Sequence, residues 1–166
     1  TDAEGILRCI ELAKQAGGYV HPNPWVGCVI VAEGRVLAEG YHSKVGKAHA
    51  EVEALKAVKD EDRALLSKAT LYGNLEPCAH FGKTPPCANA IVEAGLRTVV
   101  VGTFDPNPLV AGKGVAILRE AGVEVRVGVE EVACRWLNRR FFQSIEIIFI
   151  NKRKLTFLRK PSSHSE

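Results

Sequence analysis

His49, Glu51, Cys78 and Cys87 lie in the segments AHAEVEAL and LEPCAHFGKTPPC, and their types and spacing can do chemistry. One imidazole and two thiolates can hold a zinc ion and leave its fourth position to water. Those three ligands also cancel the charge of the ion, which moderates its power to acidify that water, so a neighbouring carboxylate becomes useful for taking the proton. Glu51, two residues after His49, is placed for this. The set is the one expected for hydrolytic deamination of a nucleobase or related heterocycle. Hydroxide adds to the amidine-like carbon, the carboxyl relays protons to the ring nitrogen and the leaving amine, and ammonia departs.

Taken singly, a His-x-Glu and two cysteines carry little information. A structural zinc site would show a fourth protein ligand. His80 is the nearest candidate, but it stands too close in sequence to Cys78 to be favoured. Cobalt or iron would suit the same ligands. Cys9, Cys28 and Cys134 sit among apolar residues and read as core. GKGVAI at 112–117 has the look of a phosphate loop, but it lacks the third glycine and reads as a helix start. His21 and His164 have no chemical context and read as surface residues.

The elements that must position these residues follow from periodicity. Ile6, Leu7, Ile10 and Ala13 recur at helical spacing over 3–16, and Gly17-Gly18 ends that helix. VGCVIVA and RVLAEGYH, separated by a Glu33-Gly34 turn, predict a hairpin. Residues 49–59 predict a helix whose start carries His49 and Glu51. ATLYGNL predicts a strand leading into Glu76-Pro77-Cys78, and Pro85-Pro86 suits the start of a helix that carries Cys87 in its first turn. The positive end of a helix dipole favours a thiolate there. RTVVVGT, GVAILREA and VEVRVG predict a buried strand, a helix and a strand, and 130–142 predicts a last helix. Alternating strands and helices imply an α/β fold, and the opening hairpin makes its sheet mixed.

A chain of 166 residues suffices for one domain with a proper core, and a net charge of +3 suits an anionic small substrate without demanding nucleic acid. Five cysteines, an odd number, match a disulfide framework poorly. No apolar run reaches a membrane span, and TDAEGILRC lacks a signal-peptide pattern, so the reading is a cytoplasmic chain without a membrane partner. From about Ser144 the character changes. IEIIFI is apolar, NKRKLTFLRK is basic and reads as a solvated tail, and PSSHSE is polar and reads as disordered. The expected organisation is a deaminase domain over 1–145 and a divergent basic tail over 146–166.

With these residues in hand, the chain resembles the pyrimidine deaminase of riboflavin biosynthesis, the N-terminal half of a bifunctional deaminase/reductase. The motifs are HPNPWVGCVIV, GYHSKVGKAHAEVEAL, LEPCAHFGKTPPCANAI and DPNPLVAGKGVAILREAGVEV, within residues 3–143. Cytidine and tRNA adenosine deaminases usually have two residues between the paired cysteines, whereas here HFGKTPP lengthens the gap. The resemblance implies a cytidine deaminase-like α/β/α sandwich with a mixed five-stranded sheet. It implies zinc on His49, Cys78 and Cys87, and Glu51 as the proton shuttle. It implies that 2,5-diamino-6-ribosylamino-4(3H)-pyrimidinone 5′-phosphate exchanges its 2-amino group for oxygen. It further implies that Asn23 hydrogen-bonds the substrate, that His42, His80 and Lys83 serve its ribose and phosphate, and that Asp105 and Asn107 line the pocket. A lysine in a glycine-containing loop can meet a phosphate as a point charge.

The sequence departs from that family after NRRFF, where relatives continue into a nicotinamide-dependent reductase domain. QSIEIIFINKRKLTFLRKPSSHSE does not follow that path, so no reductase activity is expected of these 166 residues. A homo-oligomer and a separate reductase are the partners left open. Two other readings stand beside the first: a nucleic-acid base deaminase, which would need a basic groove, and a zinc-stabilised remnant without turnover.

Overall fold

The structure, a computed structural model, describes residues 1–158. Thr1 opens α1 (Asp2–Lys14) with a capping box: its hydroxyl accepts the Glu4 amide at 3.2 Å, while the Glu4 carboxylate reaches back to the chain start. The buried face carries Ile6, Cys9, Ile10, Leu12 and Ala13. Leu7, expected on that face, points outward and Leu12 takes its place.

β1 (Gly27–Ala32) and β2 (Arg35–Tyr41) form the predicted hairpin. Glu33 and Gly34 both have positive φ, 52° and 72°. That is the backbone of a two-residue turn whose twist matches the flanking strands. β3 (Thr70–Leu75), β4 (Thr98–Thr103) and β5 (Glu124–Val127) complete a sheet of order β2-β1-β3-β4-β5. β1 pairs antiparallel with β2 and β3, while β3, β4 and β5 run parallel. The sheet is therefore mixed and five-stranded, as expected.

Side chains alternate across each strand, so the two sheet faces bury different sets. On one face Cys28, Ile30, Leu71, Val99 and Val101 meet α2 (Ala50–Ala57), α3 (Cys87–Glu93) and α4 (Lys113–Glu120). On the other, Val29, Tyr72 and Val100 meet α1 and α5 (Glu131–Leu137). Three layers result. Residues Asp60–Lys68, unassigned from sequence, form a run of 3₁₀ turns between α2 and β3.

The helix expected over 130–142 is two helices. α5 ends at Leu137, Asn138 breaks the path with φ −103° and ψ 24°, and α6 (Arg139–Leu158) follows. α6 passes residue 146 without interruption, so IEIIFI and the start of the basic run are helical. Ile147, Ile148, Ile150 and Leu155 of that helix are exposed. The expectations for PSSHSE and His164 fall outside the described residues.

Candidate active site at the carboxyl ends of β3 and β4

His49 is the N-cap of α2, with extended backbone (φ −69°, ψ 161°), and Glu51 follows in the first helical turn. The sequence reading placed His49 at the start of the helix, and it is the residue that caps it. As the cap it leaves the helical path, which lets two residues only two apart turn toward one centre. Cys78 lies just beyond β3, and Cys87 opens α3. The Cys87 amide donates to Cys78 Sγ at 3.2 Å and the Ala88 amide to the Cys78 carbonyl at 3.2 Å, so the start of α3 is fastened around the first thiol. Cys87 Sγ lies 3.3 Å from His49 Nδ1.

One donor atom from each of His49, Cys78 and Cys87 lies within 4.8 Å of the others. This donor set suits zinc: one nitrogen, two sulfurs, and no fourth protein ligand within the group. His80 is not part of it. The Cys78 thiol is pulled down to about 4, first by its hydrogen bond with Cys87 and then by His49, against burial. The Cys87 thiol is pushed up, because its neighbour already holds the negative charge and burial disfavours a second. A dication between the two sulfurs would remove that penalty and take both as thiolates.

Glu51 is 4% exposed. Burial pushes its carboxyl up to about 6, with the Cys78 thiolate adding in the same direction. A carboxyl poised near neutrality can both take and return a proton.

Two loops complete the surroundings. Glu76, buried at the end of β3, accepts the amides of Asp105 and Gly112 on Oε1, each at 2.8 Å. It thereby ties the 104–112 loop to the strand that delivers Cys78. Within that loop Asp105 accepts the Asn107 amide at 2.8 Å, and Asn107 accepts the Leu109 amide at 3.0 Å. Burial raises the carboxyls of both Glu76 and Asp105. On the opposite side His42, 4% exposed, has Nδ1 3.1 Å from the Ala48 carbonyl and Nε2 3.2 Å from the Asn23 amide nitrogen. A carbonyl only accepts, so Nδ1 carries the proton, and Nε2 is free to accept from Asn23.

All of this surrounds a cavity of 390 Å³. It opens at the carboxyl ends of parallel strands, where α/β sheets place ligands. Asn23, His42, His80, Asp105 and Asn107, the candidate substrate contacts, line it together with His49, Glu51 and Cys78. Lys83 is exposed in the loop before α3 and is not among the lining residues. Among the lining residues that sequence reasoning did not single out are Glu76, Phe141 and Ile145. Glu76 stood in plain view two residues before Cys78. Phe141 and Ile145 come from α6, and their signal was the apolar i, i+4, i+8 series with Leu137, which the expected tail obscured.

Comparison with known proteins agrees with this geometry. Residues 1–103 match the family described as cytidine and deoxycytidylate deaminase zinc-binding region. The maize protein "Riboflavin biosynthesis protein PYRD, chloroplastic" is 53% identical over 140 residues, covering 84% of this chain and 35% of that protein. The "Diaminohydroxyphosphoribosylamino-pyrimidine deaminase" of Buchnera aphidicola subsp. Schizaphis graminum is 43% identical over 138 residues, covering 83% of this chain and 91% of that protein. Among solved structures, the diaminohydroxyphosphoribosylaminopyrimidine deaminase/5-amino-6-(5-phosphoribosylamino)uracil reductase of Thermotoga maritima superposes with a TM-score of 0.82 at 45% identity, over 87% of this chain and 41% of that one. The RibD structure from Acinetobacter baumannii gives a TM-score of 0.81 at 48% identity, over 87% of this chain and 39% of that one. The chain spans about a third of the length of the first curated relatives it matches.

Proposed function

We propose a specific reaction for this chain, which belongs to the cytidine and deoxycytidylate deaminase zinc-binding family and, within it, to the pyrimidine deaminases of riboflavin biosynthesis. The chain hydrolyses the 2-amino group of 2,5-diamino-6-ribosylamino-4(3H)-pyrimidinone 5′-phosphate. Water is consumed, and the pyrimidinedione and ammonia are released. The observation that carries this is the convergence of His49, Cys78 and Cys87 on one point, with buried Glu51 in the same cavity.

His49, Cys78 and Cys87 would hold a zinc ion, which when bound would supply Lewis acidity to a water. Glu51 takes a proton from the attacking water and returns it to the ring nitrogen, then takes the proton of the newly added hydroxyl and passes it to the departing amine. Its burial excludes bulk water from that exchange. Asn23, held by His42, presents its amide to the heterocycle. Asp105 and Asn107, fixed by Glu76 and by each other, line the far wall. His80 stands at the exposed side of the cavity, where a ribose and phosphate would project. The Lys83 side chain reaches that phosphate from outside the wall as a point charge.

The reading calls for a reducing compartment such as the cytoplasm, because both thiols must remain available to metal. It also places a reductase next in line, consistent with the paired activities named for the Thermotoga maritima relative. The test is to measure bound metal, then follow ammonia release from the phosphorylated diaminopyrimidine and from RNA in the same sample. Release from the nucleotide, in proportion to zinc content, is expected. Release from RNA alone, or zinc binding without any release, sinks the reading.

A further inference from the structure

We propose that Asn138 is a positioning residue for the substrate site, acting through the backbone of Trp25 on Asn23. Pro22 and Pro24 have no N–H to donate, and the Asn23 amide is already committed to the Val20 carbonyl at 2.7 Å. The segment before β1 therefore has few backbone donors left with which to fasten itself. Asn138, 113 residues away, supplies the missing partner. Its Oδ1 accepts the Trp25 amide at 2.8 Å, and its Nδ2 donates to the Trp25 carbonyl at 2.8 Å. One carboxamide thus satisfies both backbone groups of a single residue, as a neighbouring strand would.

Asn74 adds to the same clamp. Its Nδ2 donates to the Trp25 carbonyl at 3.0 Å and its Oδ1 accepts the Gly27 amide at 2.8 Å. Asn74 and Asn138 are 0% and 5% exposed, so water offers no substitute for either. Two residues before Trp25, the Asn23 side chain leaves this held backbone to meet His42 and line the cavity. Asn138 sits at the break between α5 and α6, and the first turns of α6 put Phe141 and Ile145 into the same cavity. The junction therefore sets one wall directly and the opposite loop through hydrogen bonds. The inference rests on the proposed reaction only in taking Asn23 as a substrate contact.

The experiment is a double-mutant cycle on the full chain, combining Asn138→Ala with Asn23→Ala. Ammonia release from the phosphorylated diaminopyrimidine is read together with hydrogen exchange at the Trp25 amide. Asn138→Ala is expected to lower kcat/KM by about 10- to 100-fold at unchanged metal content. It is expected to speed Trp25 exchange by at least about 10-fold. In the Asn23→Ala background the same change is expected to cost less than about 2-fold further. Equal losses in both backgrounds, or an unchanged kcat/KM, overturn the proposal, since a merely structural residue would behave that way. If Asn138→Ala does not fold, Asn138→Asp keeps the acceptor for the Trp25 amide and removes the donor; the same non-additivity must then appear. Faster Trp25 exchange in variants of a chain that releases no ammonia supports the clamp and refutes the proposed reaction alone. Ammonia release with additive losses does the reverse.

Discussion

At the scale of single residues, the proposed reaction divides the labour between groups that hold charge and one group that moves it. The Cys87 and Ala88 amides fasten Cys78 at the start of α3, and His49 caps α2, positions at helix starts that favour thiolates. Burial, with the Cys78 thiolate adding to it, holds the Glu51 carboxyl near neutrality against the pull of His49. Glu51→Gln preserves shape and removes the proton relay. It should retain bound metal, measured by elemental analysis, and lower kcat by about 10²- to 10⁴-fold. An undiminished rate would remove Glu51 from the chemistry.

At the scale of elements, close approach matters more than propensity. A Cβ on Gly114 would run into the Pro77 carbonyl. Only glycine therefore lets α4 press against the segment that delivers Cys78. Gly114→Ala should cost about 1–3 kcal/mol of stability by denaturant unfolding. It should also weaken the metal site, read as faster loss of zinc to a competing chelator. Stability and zinc retention both at wild-type levels would show that α4 can shift without disturbing Pro77. α6 makes the complementary point. Its first turns belong to the cavity, while Ile147, Ile148, Ile150 and Leu155 farther along lie exposed.

For the molecule as a whole, the three proposed ligands come from α2, the β3–α3 connection and α3, so an ion held by them would cross-link one end of the three-layer sandwich. Zinc should stabilise the fold by about 4 kcal/mol at a free concentration about 1,000-fold above its Kd. Chelation should lower Tm accordingly and abolish ammonia release, and zinc should restore both. An unchanged Tm on full removal of metal would mean that zinc does not bind the folded chain in preference to the unfolded one. No helix among the described residues is long and apolar enough to cross a membrane.

Much of this was legible from the amino-acid order, because the relevant rules act over short distances. Strand alternation, the Glu33-Gly34 turn and the ligand types on either side of β3 all depend on residues near one another in the chain. The single helix read over 130–142 failed because nothing local marks Asn138 as a break; its amide is recruited by a backbone 113 residues away. Lys83 could be named from its loop, but its place outside the cavity wall depends on how that loop packs. Local chemistry wrote the ligands, the strands and the turn into the sequence. The tertiary structure alone decided that Glu76 and Asn138 brace two loops and that Phe141 and Ile145 face the cavity, since those contacts arise only when distant segments satisfy each other's buried polar groups.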